Sequence, residues 1–360
     1  MAGTANELLQ ATARSFYLTL RVLPRAVRPP IGLAYLLART SDTIADTEIV
    51  PARQRLQALA NLEERIRNRH AQPLDFGELA REQGSAAERA LLARVEESLA
   101  ALRRLSAADQ ALVNTVLVTI ISGQTMDLQR FAAPDGGANG RLAGLAMPPG
   151  RTGPKPVVAL RRETELDDYT YRVAGCVGEF WTRLCMAHLF PRAPLNEDQL
   201  VADGICFGKG LQLVNILRDL PADLANGRCY LPLERLTPAG LAPEELLAPE
   251  REAAFLPLFR AGLDQAAAHL RTGWRYTNTL PFGQFRVRLA CAWPILLGWE
   301  TIAKLRTASV ADLRRRVKVP RRQVYTLMLR STLALPVPFW WRRLIPPPSP
   351  RGEPMPPLPV

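Results

Sequence analysis

The chain has 360 residues, 48% of them apolar and 22% charged, so it can bury a large core without dividing into several domains. Its net charge of +12 points to polyanions: a diphosphate substrate, an anionic membrane face or nucleic acid. Nucleic acid is set aside because no zinc-finger spacing or other reading module is present and the arginines are spread along the chain. The five cysteines, Cys176, Cys185, Cys206, Cys229 and Cys291, contain no CxxC, which excludes a zinc cluster or a disulfide framework and reads as reduced, mostly buried thiols. His70, His188 and His269 stand isolated, which argues against a histidine-based mechanism.

In chain order, the first residues lack a cationic start followed by an apolar segment, so a cytoplasmic protein is expected. Apolar residues recur every three or four positions through 29–47, 52–68, 85–103 and 107–130, which predicts helices. The first of these carries Tyr35, Arg39, Asp42 and Asp46 at spacings of 4, 3 and 4, a polar stripe on one helical face. Residues 132–156, rich in Gly and Pro, read as a loop, either a lid or an insertion. Helical periodicity resumes through 155–189, 195–225, 251–280 and 285–308, and alternating strand patterns are scarce. The helix at 195–225 bears a second polar stripe, Gln212, Asn215, Asp219 and Asp223. The segment 323–345 is interrupted by Arg330 and two prolines and falls short of a membrane span. Its Trp340, Trp341, Arg342 and Arg343 suit either an interfacial anchor or a final helix covering the core. Residues 346–360, eight of them proline, form an extended, disordered tail beyond a helical domain of residues 1–345.

Residues four apart on a helix lie about 6 Å along one face, so each pair, Asp42/Asp46 and Asp219/Asp223, aims two carboxylates at one point. One such pair is ordinarily a solvated helix face. Two matching stripes in otherwise apolar helices favour a shared polar cavity, because unpaired carboxylates are costly to bury. Mg²⁺, with Mn²⁺ as a substitute, suits such a cavity, since it takes oxygen ligands and is shared between carboxylates and a substrate phosphate. Arg39, Arg218 and Arg228 supply guanidinium groups that match phosphate geometry, Arg39 foremost.

These segments resemble the squalene and phytoene synthase family, the head-to-head prenyl-coupling enzymes, from about Ser15 to about Leu329. SFYLTLRVLP and LAYLLARTSDTIADT look like the family's first conserved region, and Gly123, Met126 and Asp127 resemble its GMxxD segment. Tyr169 to Gly178 looks like YCxYVAGxVG, with Tyr171 and Arg172 standing where squalene synthases carry histidine and tyrosine. LQLVNILRDLPADLANGRCYLP follows the QxxNIxRDxxxDxxxGRxYxP signature almost position by position. CAWP (residues 291–294) and VKVPRRQVYTLM (residues 317–328) are similar to squalene synthase segments, although Pro320 replaces a family arginine.

The resemblance implies an all-α, single-domain isoprenoid synthase fold with a central cavity lined by two aspartate-rich helices. It implies metal binding by Asp42, Asp46, Asp219 and Asp223, and a catalytic role for Tyr169. Substrate contacts fall on Ser15, Phe16, Tyr35, Arg39, Met126, Asp127, Val173, Gln212, Asn215, Arg218 and Arg228, and NADPH contacts on Lys318, Arg321 and Arg322. The implied reaction condenses two farnesyl diphosphates through presqualene diphosphate and reduces the product with NADPH to squalene. Dehydrosqualene, phytoene from geranylgeranyl diphosphate, and release of presqualene diphosphate stand as alternatives, as does a non-catalytic prenyl-lipid or membrane-surface binding protein. A monomer is expected, attached at most peripherally to the inner face of an anionic membrane.

Overall fold

The computed structural model describes residues 3–13, 16–69, 72–83, 85–131, 156–315 and 317–346. Ser15, His70, positions 132–155 of the expected loop and positions 347–360 of the proline-rich tail lie outside them. The described residues form α1 (Gly3–Ala13), α2 (Phe16–Val22), α3 (Arg28–Asp46), α4 (Ala52–Ile66), α5 (Gly77–Arg81), α6 (Ala86–Ala93), α7 (Val95–Leu102) and α8 (Ala107–Phe131). There follow α9 (Glu163–Thr170), α10 (Cys176–Leu189), α11 (Glu197–Ala225), α12 (Leu233–Leu236), α13 (Glu252–Thr279), α14 (Phe285–Thr307), α15 (Val310–Arg314), α16 (Arg321–Ala334) and α17 (Pro338–Arg342). A short parallel ladder, β1 (Val158–Ala159) on β2 (Arg228–Cys229), pairs Val158 with Arg228 and Ala159 with Cys229. The fold is all-α, as the periodicity requires.

Two expected helices are broken. The one predicted over 85–103 is interrupted at Arg94, between α6 and α7. The one predicted over 155–189 begins only at Glu163, because the backbone at Val158 and Leu160 is hydrogen-bonded to Gly227 and Cys229 instead. The same stretch is divided again by a π-helical turn, Tyr171–Gly175, between α9 and α10. Such turns insert one extra residue into a helix and re-aim the side chains around them.

Helices α3 and α8 pack together on one side, α10, α11, α13 and α14 on the other, and α8 meets α10 across the middle. Helix α11 lies very close to α10 and to the π-helical turn before it. A Cβ on Gly178 would lie 1.9 Å from Gly204 O, and one on Gly208 would lie 2.3 Å from Ala174 O, so these backbones touch directly. On the C-terminal side, Trp341 is fully buried, stacked on Trp274 at a centroid distance of 5.0 Å, and donates Nε1–H to Asn278 Oδ1 at 2.8 Å. Trp341 therefore covers the core, whereas Trp340 is exposed. Helices α8 and α11 are long and apolar enough to cross a bilayer by length and composition alone, but 44% and 56% of their apolar windows are buried inside the fold.

Gly178→Ala is expected to destabilise the protein by about 2 kcal/mol, because the added methyl must push apart two helix backbones and not a flexible side chain. Urea unfolding of the variant beside the parent measures it; an unchanged midpoint would show that the crossing is looser than described.

Candidate active site

The cavity between these helices is graded from apolar to polar along their axes. On α3 one stripe runs through Ile31, Ala34, Tyr35 and Ala38 and continues into Asp42, Ala45 and Asp46. From Tyr35 to Asp46 it spans roughly 16 Å at 1.5 Å per residue. Helix α8 repeats the order, with Val116 and Ile120 followed by Gln124 and Asp127, and α11 does so with Phe207, Gly208 and Leu211 followed by Gln212. The apolar part encloses about 330 Å³, walled also by Trp181 of α10, Tyr276 of α13 and Cys291 of α14. The polar part encloses about 240 Å³ and shares Ile120 and Val173 with the apolar one. An adjoining opening of about 570 Å³ brings Asp46 of the first pair together with Asp223 of the second, beside Arg228.

The end of α11 explains how Arg228 and Tyr230 reach this place. After Asn226 the chain turns at Gly227, whose φ of +78° is readily adopted by glycine, and passes into β2. Arg228 then lies between carboxylates, with Nη1 3.6 Å from Asp127 Oδ2 and Nη2 donating to Glu48 Oε1 at 3.2 Å. Tyr230 donates its hydroxyl proton to Asp127, 2.9 Å from Oδ1 and 3.0 Å from Oδ2, and its ring stacks on Tyr169 at 4.7 Å. The stacking leaves the two phenols close enough to act on each other's protonation.

The carboxylates are strained by their surroundings. Burial, then the charge of Asp46, pushes Asp42 up to about 6. Burial raises Asp127 to about 6 against the stabilising hydrogen bond from Tyr230. Burial and the neighbouring Asp219 raise Asp223 to about 7, and burial also raises Asp46, with Arg228 and Arg39 opposing. Burial lifts the Tyr169 phenol well above its ordinary value, so it stays protonated at neutral pH.

Among the described residues no three carboxylate, imidazole or thiolate groups close on one point as a ready-made metal cage. The donor set still suits a hard cation that keeps waters and is shared with phosphate, because every group offered is an oxygen. Gln124 Nε2 donates to Asp42 Oδ1, while Gln124 Oε1 is buried with no hydrogen-bond partner among the described residues and adds one more oxygen beside the crowded carboxylates.

Of the residues singled out in the sequence, Asp42, Asp46, Asp127, Tyr169, Val173, Gln212 and Arg228 line the polar cavity, and Tyr35 lines the apolar one while donating to Thr12 O at 3.2 Å. Asp219 does not line the polar cavity; Arg218 folds onto its carboxylate, with Nε 3.1 Å from Oδ1. Asn215 Nδ2 turns toward Gln212 Oε1 at 3.5 Å. Arg39 lies close enough to Asp42 to act on its charge, but its Nη2 donates to Glu88 Oε1 at 2.6 Å, away from the expected diphosphate position. Met126 packs against the core outside both cavities, and Phe16 begins α2. Lys318, Arg321 and Arg322 are exposed and line neither cavity, because α16 lies outside α14, with Gln323 Nε2 bonded to Glu300 Oε2 at 2.5 Å. Tyr171 and Arg172, the departures from the family motif, turn to Glu179 at 3.2 Å and to Asp168 at 2.9 Å. All five cysteines are free; Cys206 Sγ lies 2.6 Å from His269 Nδ1, and His188 pairs with Asp109 at 2.7 Å.

Sequence reasoning passed over Gln124 and Tyr230. Gln124 was visible as the residue one helical turn before Asp127, and Tyr230 as the tyrosine of GRxYxP.

An all-α barrel whose cavity runs from an apolar end to an aspartate-lined end defines the isoprenoid synthase class. The chain matches the squalene/phytoene synthase description over residues 9–323 and belongs to that family. A phytoene synthase of Pseudescherichia vulneris is 34% identical over 142 residues, which cover 38% of this chain and 41% of that protein. The chain thus spans about two fifths of the length of that curated relative. A presqualene diphosphate synthase of Sinorhizobium fredii is 27% identical over 245 residues, 68% of this chain and 67% of that protein. A solved structure of TcSQS in complex with a ligand superimposes with a TM-score of 0.70 at 21% identity, covering 91% of this chain and 85% of that one, a likeness of fold.

The raised carboxyl groups set a pH dependence. An acid whose folded value lies above its unfolded one binds its proton more tightly in the folded state, so stability falls as pH rises between 3.8 and about 7. Without divalent cations, the protein is expected to melt at lower temperature at pH 7.5 than at pH 5.5. Asp223→Asn should recover about 2 kcal/mol at the higher pH. Calorimetry in the presence of a chelator measures both; a variant less stable than the parent would contradict this account.

Proposed function

We propose that the protein condenses two farnesyl diphosphates head to head, through presqualene diphosphate, in a Mg²⁺-dependent reaction, and that NADPH then reduces the product to squalene. The observation that carries the condensation is the graded cavity: an apolar chain fits the end lined by Tyr35, Phe207 and Trp181, and its diphosphate meets the end lined by Asp42, Asp46, Asp127 and Arg228. Asp42, Asp46 and Asp223 would hold Mg²⁺, with Gln124 Oε1 beside them and Asp219 at the rim. The bound cation supplies charge neutralisation for the departing diphosphate.

The protein's own residues do the rest. Arg228 stabilises the leaving oxygens by charge-assisted hydrogen bonds, already oriented by Asp127 and Glu48. The apolar walls exclude water while the allylic cation exists, and the stacked rings of Tyr169 and Tyr230 offer it a π face. The double bond of the second chain attacks the cationic carbon, and closure of the cyclopropane releases a proton. Tyr230 O receives that proton as the Tyr230 proton moves to Asp127, to which it already points. Asp127 is the terminal acceptor because both phenols are held neutral.

A second reading is favoured by one observation: Lys318, Arg321 and Arg322 lie outside both cavities. On that reading the protein releases an unreduced product, presqualene diphosphate, dehydrosqualene or, from geranylgeranyl diphosphate, phytoene.

Incubation of the purified protein with each prenyl diphosphate and Mg²⁺, with and without NADPH, followed by mass analysis, separates the readings. Squalene only with NADPH is the expected result. Unreduced product under both conditions selects the second reading, and no carbon–carbon coupling under any condition overturns both. Asp42→Ala and Tyr230→Phe are each expected to lower kcat by about 10²-fold with the fold retained.

A further inference from the structure

We propose that Glu88 of α6 is a positioning residue of the acidic site: it holds the Arg39 guanidinium off Asp42 and so keeps the Asp42/Asp46 pair open to a divalent cation. This role rests on the reading that the pair holds Mg²⁺, whatever product the reaction yields. Arg39 and Asp42 are three residues apart on α3, so their side chains leave one face of the helix with Cβ atoms about 5–6 Å apart. An arginine so placed has the aspartate as its nearest candidate partner. Its charge is indeed felt at both Asp42 and Asp46. Yet Nη2 donates to Glu88 Oε1 at 2.6 Å, and among the described residues Glu88 is the carboxylate with which Arg39 is paired. Asp42 and Asp46 line the polar cavity, and Arg39 does not.

On α11 the same competition falls the other way. Arg218 Nε lies 3.1 Å from Asp219 Oδ1, and Asp219 does not line the polar cavity. At Asp42 such a closure would cost the site more, because Gln124 already donates to Oδ1. A guanidinium on the same carboxylate would leave Asp46 as the main oxygen donor of the pair. The surroundings of Glu88 suit it to the task. It stands in the first turn of α6, where the helix dipole favours a negative charge, and α6 packs against α3. The neighbouring Arg89 is turned to Gln83 O at 2.6 Å and does not compete for the carboxylate. The Arg39 and Glu88 side chains are 34% and 27% exposed, so their attraction is stronger than that of a pair in open water.

The test is Mn²⁺ binding to the full-length protein without any prenyl diphosphate, read from the paramagnetic resonance of the free ion. The parent should bind Mn²⁺, and Glu88→Gln should bind it about tenfold more weakly, because Arg39 then closes on Asp42. Arg39→Gln alone should bind at least as tightly as the parent. The double variant separates a holding role from simple attraction of the cation by the Glu88 charge: in the Arg39→Gln background, Glu88→Gln should change nothing. Glu88→Asp draws the carboxylate back by one methylene, should weaken binding about threefold, and serves if Glu88→Gln fails to fold. Equal affinity in the parent and the Glu88 variants overturns the proposal and leaves the metal reading standing. The same loss with and without Arg39 does so too. A parent that binds no Mn²⁺ at millimolar concentration overturns the metal reading and the proposal together.

Discussion

Asp42, Asp46, Asp127 and Asp223 are gathered at one end of a cavity whose other end is hydrocarbon, and their common burial pushes each of them toward its neutral form. Four such groups remain tolerable because Arg228, Tyr230 and Gln124 are brought among them. Those partners offset part of the cost of burying the carboxylates. The remainder is a standing attraction for positive charge. The rest of the molecule serves this end of the cavity: helices α3, α8 and α11 carry the polar residues at matching depth, and the Gly227 turn returns Arg228 and Tyr230 over them.

The apolar end depends on a different constraint. Its width is set where α11 touches α10 through Gly178 and Gly204, and the π-helical turn through Gly208. Side chains at these positions would separate the helices and enlarge or collapse the space between Trp181, Phe207 and Tyr276. The π-helical turn before α10 places Val173 where the two parts of the cavity meet, while Tyr169, one turn earlier, faces the carboxylates. The two parts of the cavity are therefore joined through one short segment, residues 169–178.

Catalytic and surface features separate cleanly in space. Lys318, Arg321 and Arg322 are exposed, and α16 packs on α14 from outside the cavity. Buried apolar residues of α14 serve the cavity on one side, and Trp293 anchors α16 on the other.

The periodicity of the sequence by itself determined the helical class, the long helices and the two aspartate stripes, because a face buried in an apolar cavity must repeat every three to four residues whatever packs against it. The family signature likewise marked Tyr169, Asp127 and Arg228. Tertiary structure decided what local spacing does not encode. Arg39 turned to Glu88, forty-nine residues away, and Asp219 was taken by its own neighbour Arg218. Tyr230 was drawn to Asp127 across more than a hundred residues, and the basic residues of α16 were carried outside the cavity. Each of these outcomes depends on which charged or polar partner lies nearest after the helices have packed. Helical spacing places a side chain on a face; only the assembled fold determines what that face meets.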